Sequence, residues 1–267
     1  MTLKLPKLDY GRVTEEIVDF IKKTVENSGA SGVVIGLSGG VDSSLTAVLC
    51  SKALGRDRVL AVLMPTTFTP KQDIEDARYL AKELGVRSEE VKIDEISNAF
   101  FTELKCDEKD PRYKIPMANI RARIRMVILY FYANLNNYLV AGTGDKSERL
   151  IGYFTKYGDG GVDFMPIGHL YKTQVRELAR FLGVPEHIAY KPSSPQLYPG
   201  HKATDEIPID YERLDLILYG LFDLKLPPEV VSSETGTPRS VVDEVLLRVK
   251  TTEHKRRPPP MVVSSLI

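Results

Sequence analysis

Two features of the sequence predict an α/β protein built on a doubly wound parallel sheet, with helical elaborations at its C-terminal end. Short, almost wholly apolar runs such as GVVIGL (32–37) and RVLAVLMP (58–65) have the length of strands covered on both faces. Helical patterns separate them, so the order strand, helix, strand, helix, strand implies parallel pairing through right-handed crossovers. At 267 residues and 43% apolar content the chain can bury a substantial core, and residues 1–267 are expected to form one domain.

TEEIVDFIKKTVENS (14–28) sets Ile17, Phe20, Ile21 and Val25 on one stripe with charges opposite, which predicts a helix. The strand at 32–37 follows, then SSLTAVLCSKAL (43–54), a helix ended by Gly55. The strand at 58–65 leads to a charged-faced helix over 71–85 and a third strand over EEVKID (89–94). A long helix is predicted over 119–137. Its first half carries an apolar stripe of Ile120, Ile124, Val127 and Phe131, bordered on opposite sides by Arg121 and Arg123. Its second half, MVILYFYA, is apolar nearly all round and needs cover, either in a deep core or at a subunit interface. YLVAGTGDKSE (138–148) reads as a fourth strand running into a polar turn, and the Gly-rich, charged 153–166 as a loop. A helix over 171–185 stops at Gly and Pro. The segment 191–208 is too long and too Pro-rich for an ordinary connection, and such loops are functional or disordered. Helical patterns near 210–223 and 238–250 precede the tail TEHKRRPPP.

Basic and acidic residues balance at 36 each, so no global field attracts nucleic acid and any anion must be held by local cations. Two isolated cysteines, Cys50 and Cys106, give neither a disulfide framework nor a metal knuckle, and they suit a reducing cytoplasm. No run approaches the roughly 20 apolar residues of a membrane span, and no leader is visible, so a cytoplasmic protein is expected.

In a sheet of this kind ligands bind beyond the carboxyl ends of the strands, where GLSGGVDSS (36–44) falls. The GxxxxGK[ST] phosphate loop needs a lysine after its last glycine, and Val41 stands there. The parts still make a phosphate cradle. Gly39 and Gly40 let backbone N–H groups close on an anion, Ser38, Ser43 and Ser44 add hydroxyls, and the next helix offers the positive end of its dipole. Asp42 makes sense where a divalent cation accompanies the phosphates.

SGGVDSS, behind an apolar strand and ahead of a helix, resembles the SGGxDS signature of the ATP pyrophosphatases (the PP-loop superfamily), which split ATP between its α and β phosphates and pass AMP to an acceptor. GTGDKSERLIGYFTKYGDGGVDFMPIG resembles the second signature of the NAD synthetases, and TDEI (204–207) and TEHKRRPP (252–259) match that family in order and spacing. The resemblance runs from about Gly36 to Pro259. It implies a Rossmann-like fold of the adenine nucleotide alpha hydrolase type. It also implies ATP-dependent amidation of deamido-NAD (nicotinic acid adenine dinucleotide) with ammonia, giving NAD, AMP and diphosphate through an adenylated substrate. Carried over position by position, Gly36, Leu37, Ser38, Gly39, Gly40, Val41, Asp42 and Ser43 hold ATP, as do Thr143, Lys172 and Ser194. Asp42 and Glu148 bind Mg²⁺. Arg123, Lys156, Asp163, His254 and Lys255 bind the dinucleotide. Many bacterial members read TDHAAE where this chain reads TGDKSE, so Asp145 and Lys146 receive no role.

Adenylation requires no protein nucleophile, only donors for the charge that develops on the phosphates, among them Mg²⁺, Lys172 and the turn amides. Asp42 and Lys172 are therefore the expected catalytic groups, with Asp163 as the acceptor of ammonia's proton. Both substrates are polyanions, so Arg123, Lys156, Lys172 and Lys255 are expected to converge on one cleft. Water must be excluded from the adenylate, which gives 191–208 a use as a lid closed with the help of Thr204, Asp205 and Glu206. The phosphate turn is reached by residue 36, leaving no glutaminase domain ahead of it, so free ammonia is the expected nitrogen donor. The resemblance also implies a homodimer with the dinucleotide site across its interface. Cys50 reads as core, and Arg121 and Arg125 read as solvated or salt-bridged as readily as functional. A tRNA-modifying enzyme lacks support in a neutral chain, and a non-catalytic sensor needs neither Glu148 nor Lys172.

Overall fold

In the computed structural model, which describes residues 3–201, 203 and 206–262, the two apolar runs become β1 (Gly32–Gly36) and β2 (Val59–Leu63). They pair in parallel with Val33 opposite Val59. β3 (Arg87–Glu90) adds to the far side of β2 and β4 (Tyr138–Val140) to the far side of β1, giving the order β3-β2-β1-β4. The sheet reverses its strand order between β1 and β4, and a doubly wound sheet opens its ligand crevice at such a point. Thr204 and Asp205 lie outside the described residues.

Helices cover both faces, which is why β1 and β2 read as unbroken apolar runs. On one face α1 (Tyr10–Ser28), α2 (Val41–Leu54), α3 (Lys71–Leu84), α7 (Lys172–Phe181) and α8 (Glu186–Ala189) bury Ile17, Ile21, Leu45, Leu49, Leu80 and Leu178 against Val33 and Ile35. On the other face α5 (Pro111–Asn136) lays Leu129 and Ala133 on Val34, Leu60, Val62 and Val140. A second core joins α6 (Lys146–Ile151) to the C-terminal helices α9 (Tyr211–Leu218), α10 (Pro228–Thr235) and α11 (Arg239–Thr251) through Ile151, Leu214, Ile217, Val231, Val242 and Val245.

Several elements depart from the sequence expectation. The third strand runs over Arg87–Glu90, earlier than predicted, because it is an exposed edge without an apolar signature. Pairing continues irregularly beyond it, where Val91 N–H donates to Leu63 O at 2.9 Å and Ile93 N–H to Pro65 O at 3.2 Å. Helix α5 begins at Pro111, capped by Asp110, whose carboxylate accepts from Arg112 N–H at 2.9 Å. Pro116 inside this helix hides its first turns from a periodicity reading. α4 (Asp94–Glu103), α6 and α10 were not foreseen, all being short and polar or Pro-flanked.

The apolar half of α5 is not covered within one chain: Val127, Phe131 and Leu135 are 59%, 60% and 68% exposed. Among the described residues no helix is long and apolar enough to cross a membrane.

Candidate active site

β1 delivers the chain at Gly36, and α2 starts at Val41 with Gly40 as its N-cap. No side chain caps that end, so the first N–H groups of α2 have no side-chain partner and face the turn. The turn is braced from within. Ser43 Oγ donates to Gly40 O at 3.1 Å, accepts from Ser38 N–H at 3.2 Å and lies 3.1 Å from Ser38 Oγ. Gly39 has φ +79°, and a Cβ there would come within 2.1 Å of Asp73 O, so only glycine allows α3 to approach this closely.

Beneath the turn lies a wholly buried lysine. Lys172 Nζ stands 2.7 Å from Asp42 Oδ2, 2.8 Å from Asp145 Oδ2 and 2.9 Å from Glu148 Oε1. Three helix N-termini bring these groups together, because Asp42 opens α2, Asp145 caps α6 and Lys172 opens α7. Asp145 accepts from Glu148 N–H at 2.8 Å, which fixes both acids. Buried Asp215 of α9 ties the frame: it accepts from Ser147 Oγ at 2.5 Å, Thr173 N–H at 2.9 Å and Thr173 Oγ1 at 2.7 Å, while Ser147 Oγ accepts from Lys172 N–H at 3.0 Å. Tyr211 donates to Glu148 at 3.1 Å.

One ammonium thus faces three carboxylates, a local charge of about −2 in a region of low dielectric. Burial raises the carboxyls of Asp145 and Glu148 above the usual range, against the pull of Lys172. For Lys172 burial opposes the charge, yet Asp145, Asp42 and Glu148 together hold the ammonium well above the usual lysine range. Asp42 Oδ1 is buried without a hydrogen-bond partner. One oxygen from each of Asp42, Asp145 and Glu148 lies within 4.8 Å of the others, a set of hard oxygen donors able to hold a divalent cation.

A second lysine approaches the turn from the side. Lys191 Nζ donates to Gly39 O at 3.1 Å and Asp73 Oδ1 at 2.6 Å, and also to Asp76. Gln196 binds the other oxygen of Asp73, and His187 stands 3.1 Å from Asp76. The stretch 191–196 is therefore fastened at both ends to α3. The described residues that follow are held as well: Arg121 donates to Leu197 O at 2.9 Å, Lys114 sits over the Tyr198 ring, Tyr198 stacks on His201, and Arg248 donates to Glu206 O.

A cleft of about 480 Å³ opens between the turn, α5 and this loop. Gly36, Leu37, Ser38, Gly40, Val41, Asp42, Ser43, Thr143, Glu148, Ser194 and Lys255 all line it, and Gly39 lies just behind at the apex of the turn. The expected convergence of four cations is corrected. Lys172 lies under the floor, Arg123 and Lys156 are outside, and Lys255 alone of the four lines the cleft, its Nζ donating to Gly152 O at 2.8 Å and Phe154 O at 2.9 Å. Arg125, Lys191 and Arg248 line it in their place. His254 is exposed and does not reach in. Ser194 lines the cleft while its hydroxyl donates to His201 O.

Asp163 also lies outside the cleft. Its carboxylate accepts from Tyr130 O–H at 3.0 Å and Val140 N–H at 2.7 Å, so both oxygens serve donors of its own chain and it does not face the turn as a proton acceptor. Arg123 donates to Lys156 O at 3.3 Å. Through Arg123 and Tyr130 these three residues gather on the face of α5 that carries exposed Val127 and Phe131, away from the Ala118, Ala122, Arg125 and Leu129 face that lines the cleft.

The model of the NAD synthase family matches residues 13–259. The chain belongs to the NAD synthase family. The NH(3)-dependent NAD(+) synthetase of Staphylothermus marinus is 52% identical over 255 residues, 95% of this chain and 92% of that protein. The solved NH3-dependent NAD synthetase of Campylobacter jejuni, in complex with the nitrate ion, superposes with a TM-score of 0.80 at 33% identity, covering 96% of this chain and all of that one. An NMN synthetase from Francisella tularensis superposes at 0.83 with 29% identity over 96% of this chain and 99% of its own. The resemblance had singled out the turn and the Glu148 segment, whereas Asp145, Asp215, Tyr211 and the Lys191 cluster were missed. Asp145 had a signal in DKSE, an acid three residues before a glutamate at a helix start. Asp215 had another, as an acid amid the apolar stripe of Leu214, Ile217 and Leu218.

Proposed function

We propose that the chain amidates deamido-NAD with ammonia at the expense of ATP, forming NAD, AMP and diphosphate as a C–N ligase of this family. The observation that carries this reading is the uncapped start of α2 beside a partly buried three-carboxylate cluster. That pairing suits a triphosphate with a cation, and it includes no nucleophile. Asp42, Asp145 and Glu148 would hold Mg²⁺, since the orphaned Asp42 Oδ1 and the excess of carboxylates fit it. When bound, the ion neutralises charge on the phosphates. The resemblance assigned two of these ligands; Asp145 is the third that the geometry favours.

The roles of the chain's own residues follow. Gly36 to Ser43 with Thr143 and Ser194 hold ATP, and the amides at Gly40 to Asp42 offer donors to charge developing on the phosphates. Lys172 sets the positions of Asp42 and Glu148. The substrate carboxylate attacks the α-phosphate, diphosphate leaves, and ammonia then displaces AMP from the acyl adenylate, while the loop at 191–208 keeps water out. Lys255 takes the dinucleotide from the same chain. Arg123, Lys156, Asp163 and His254 take it from the outer side, as part of a site that a second copy shares. The exposed apolar face of α5 next to Arg123 supports such a homodimer. Phe131→Asp is expected to yield a monomer by light scattering with activity lost. A fully active monomer refutes the shared site.

The shape match to an NMN synthetase favours one second reading, amidation of the mononucleotide acid. Both are tested by measuring diphosphate and amide formation from ATP and ammonium with nicotinic acid adenine dinucleotide or nicotinic acid mononucleotide. A kcat/KM at least tenfold higher for the dinucleotide is expected, the reverse order selects the second reading, and release of phosphate instead of diphosphate removes both.

A further inference from the structure

Of the cations that line the cleft, Lys191 is paired with Asp73 and Asp76. Arg125 is different. Among the described residues no carboxylate lies within ion-pair distance of it, and the hydrogen bond it makes is from Nε to Met64 O at 3.2 Å, which leaves its two terminal nitrogens free of protein acceptors there. It stands on the cleft-facing stripe of α5 beside Ala122, Met126 and Leu129, and Met64 directly follows β2 at the carboxyl edge of the sheet, next to Gly36. Burial pushes its guanidinium down to about 10, and nearby Arg121 adds to the effect. It is partly buried and not salt-bridged, and it lines the open cleft.

Asp159 and Asp94 favour the charge of Arg125 from a distance without pairing with it, and a largely desolvated guanidinium with no direct partner is costly, a cost that an acidic group of a ligand relieves. With Nε anchored on a carbonyl, the planar fork is held in one orientation with four N–H bonds to spare, which matches the two oxygens of a carboxylate or phosphate. Lysine could not reproduce this. Resting on the reading of the cleft as the site of both substrates, we infer that Arg125 is a binding residue that receives an oxyanion of one substrate, a phosphate of ATP or an acidic group of the pyridine nucleotide, in a bidentate contact.

The test compares wild-type enzyme with Arg125→Lys and Arg125→Gln, the latter retaining a donor for Met64 O. KM and directly measured affinity are determined for ATP and for deamido-NAD separately, with thermal melting as a control on folding. Wild-type activity on the pair establishes the cleft reading independently of the variants. The expected result is a rise of about tenfold or more in KM for one substrate in Arg125→Gln, a smaller rise in Arg125→Lys, and little change for the other substrate. A rise for ATP identifies its phosphate as the partner, and a rise for deamido-NAD identifies the pyridine nucleotide. In the latter case, loss of discrimination against the amide product NAD picks out the carboxylate. Unchanged constants for both substrates, or losses in both that follow a lowered melting temperature, overturn the inference.

Discussion

Lys172 and Lys191 both hold carboxylates against the phosphate turn, Lys172 from beneath and Lys191 from the side. Lys172 is fully buried among three acids that come from helix N-termini, and Asp215 locks two of those helices together. Lys191 is partly exposed, begins the long loop, and bonds two acids of α3 and a turn carbonyl. Beneath the turn the acids outnumber the ammonium by two, with Asp145 fully buried and Asp42 and Glu148 opening onto the cleft. Beside the turn the excess is one, and the contacts join a loop to a helix. The first cluster is therefore suited to take up a cation, and the second to set the shape of the turn and hold the loop over it.

The largest effect expected from breaking this contrast is at Lys172. Lys172→Met leaves buried Asp145 and its partly buried neighbours Asp42 and Glu148 without their ammonium, so the enzyme should be inactive and less stable by about 3–5 kcal/mol. Chemical denaturation measures this, and a variant as stable as wild type refutes the charge argument. Asp42→Asn should separate the two properties. Turnover is expected to fall by about 10³-fold or more, while stability stays level or rises because one excess negative charge is gone. Added Mg²⁺ should raise the melting temperature of wild type and leave that of Asp42→Asn unchanged. An equal shift in both takes the metal away from Asp42.

The sequence made the two regions legible to different degrees. The turn and its flanking strand and helix could be read from it because a phosphate cradle needs small, flexible and hydroxylic residues in immediate succession, as 36–44 supplies. The parallel sheet was legible for a similar reason, since strands buried on both faces are continuous apolar runs. The Lys191 cluster was not legible: Asp73, Asp76, Lys191 and Gln196 come from a helix face and a loop more than a hundred residues apart. No local pattern records such a pairing. Arg123, Lys156 and Asp163 show the opposite problem, because the resemblance gave them a role but not the side of α5 on which one chain places them.

A smaller effect is expected at Lys191. Lys191→Met releases the Gly39 carbonyl and leaves Asp73 and Asp76 unneutralised beside the triphosphate, so KM for ATP should rise about tenfold, with KM for deamido-NAD nearly unchanged. A loss confined to kcat, with ATP binding intact, points away from the turn and toward the chemistry.

The smallest effect, a change of a few-fold in cleavage rate, concerns the loop itself. Its first six residues are pinned at both ends to Asp73, and beyond them Tyr198 stacks on His201, which bonds Glu206. Cutting within 191–208 by subtilisin therefore requires local opening, which on the proposed reading nucleotide held by Ser194 should oppose. A non-hydrolysable ATP analogue should slow cutting of the wild-type enzyme but give less protection to Lys191→Met, because that variant lacks one of the two ties to Asp73. If the analogue protects both equally, the lysine shapes the turn without holding the loop. If it protects neither, the loop does not close over nucleotide, and exclusion of water falls to the walls of the cleft.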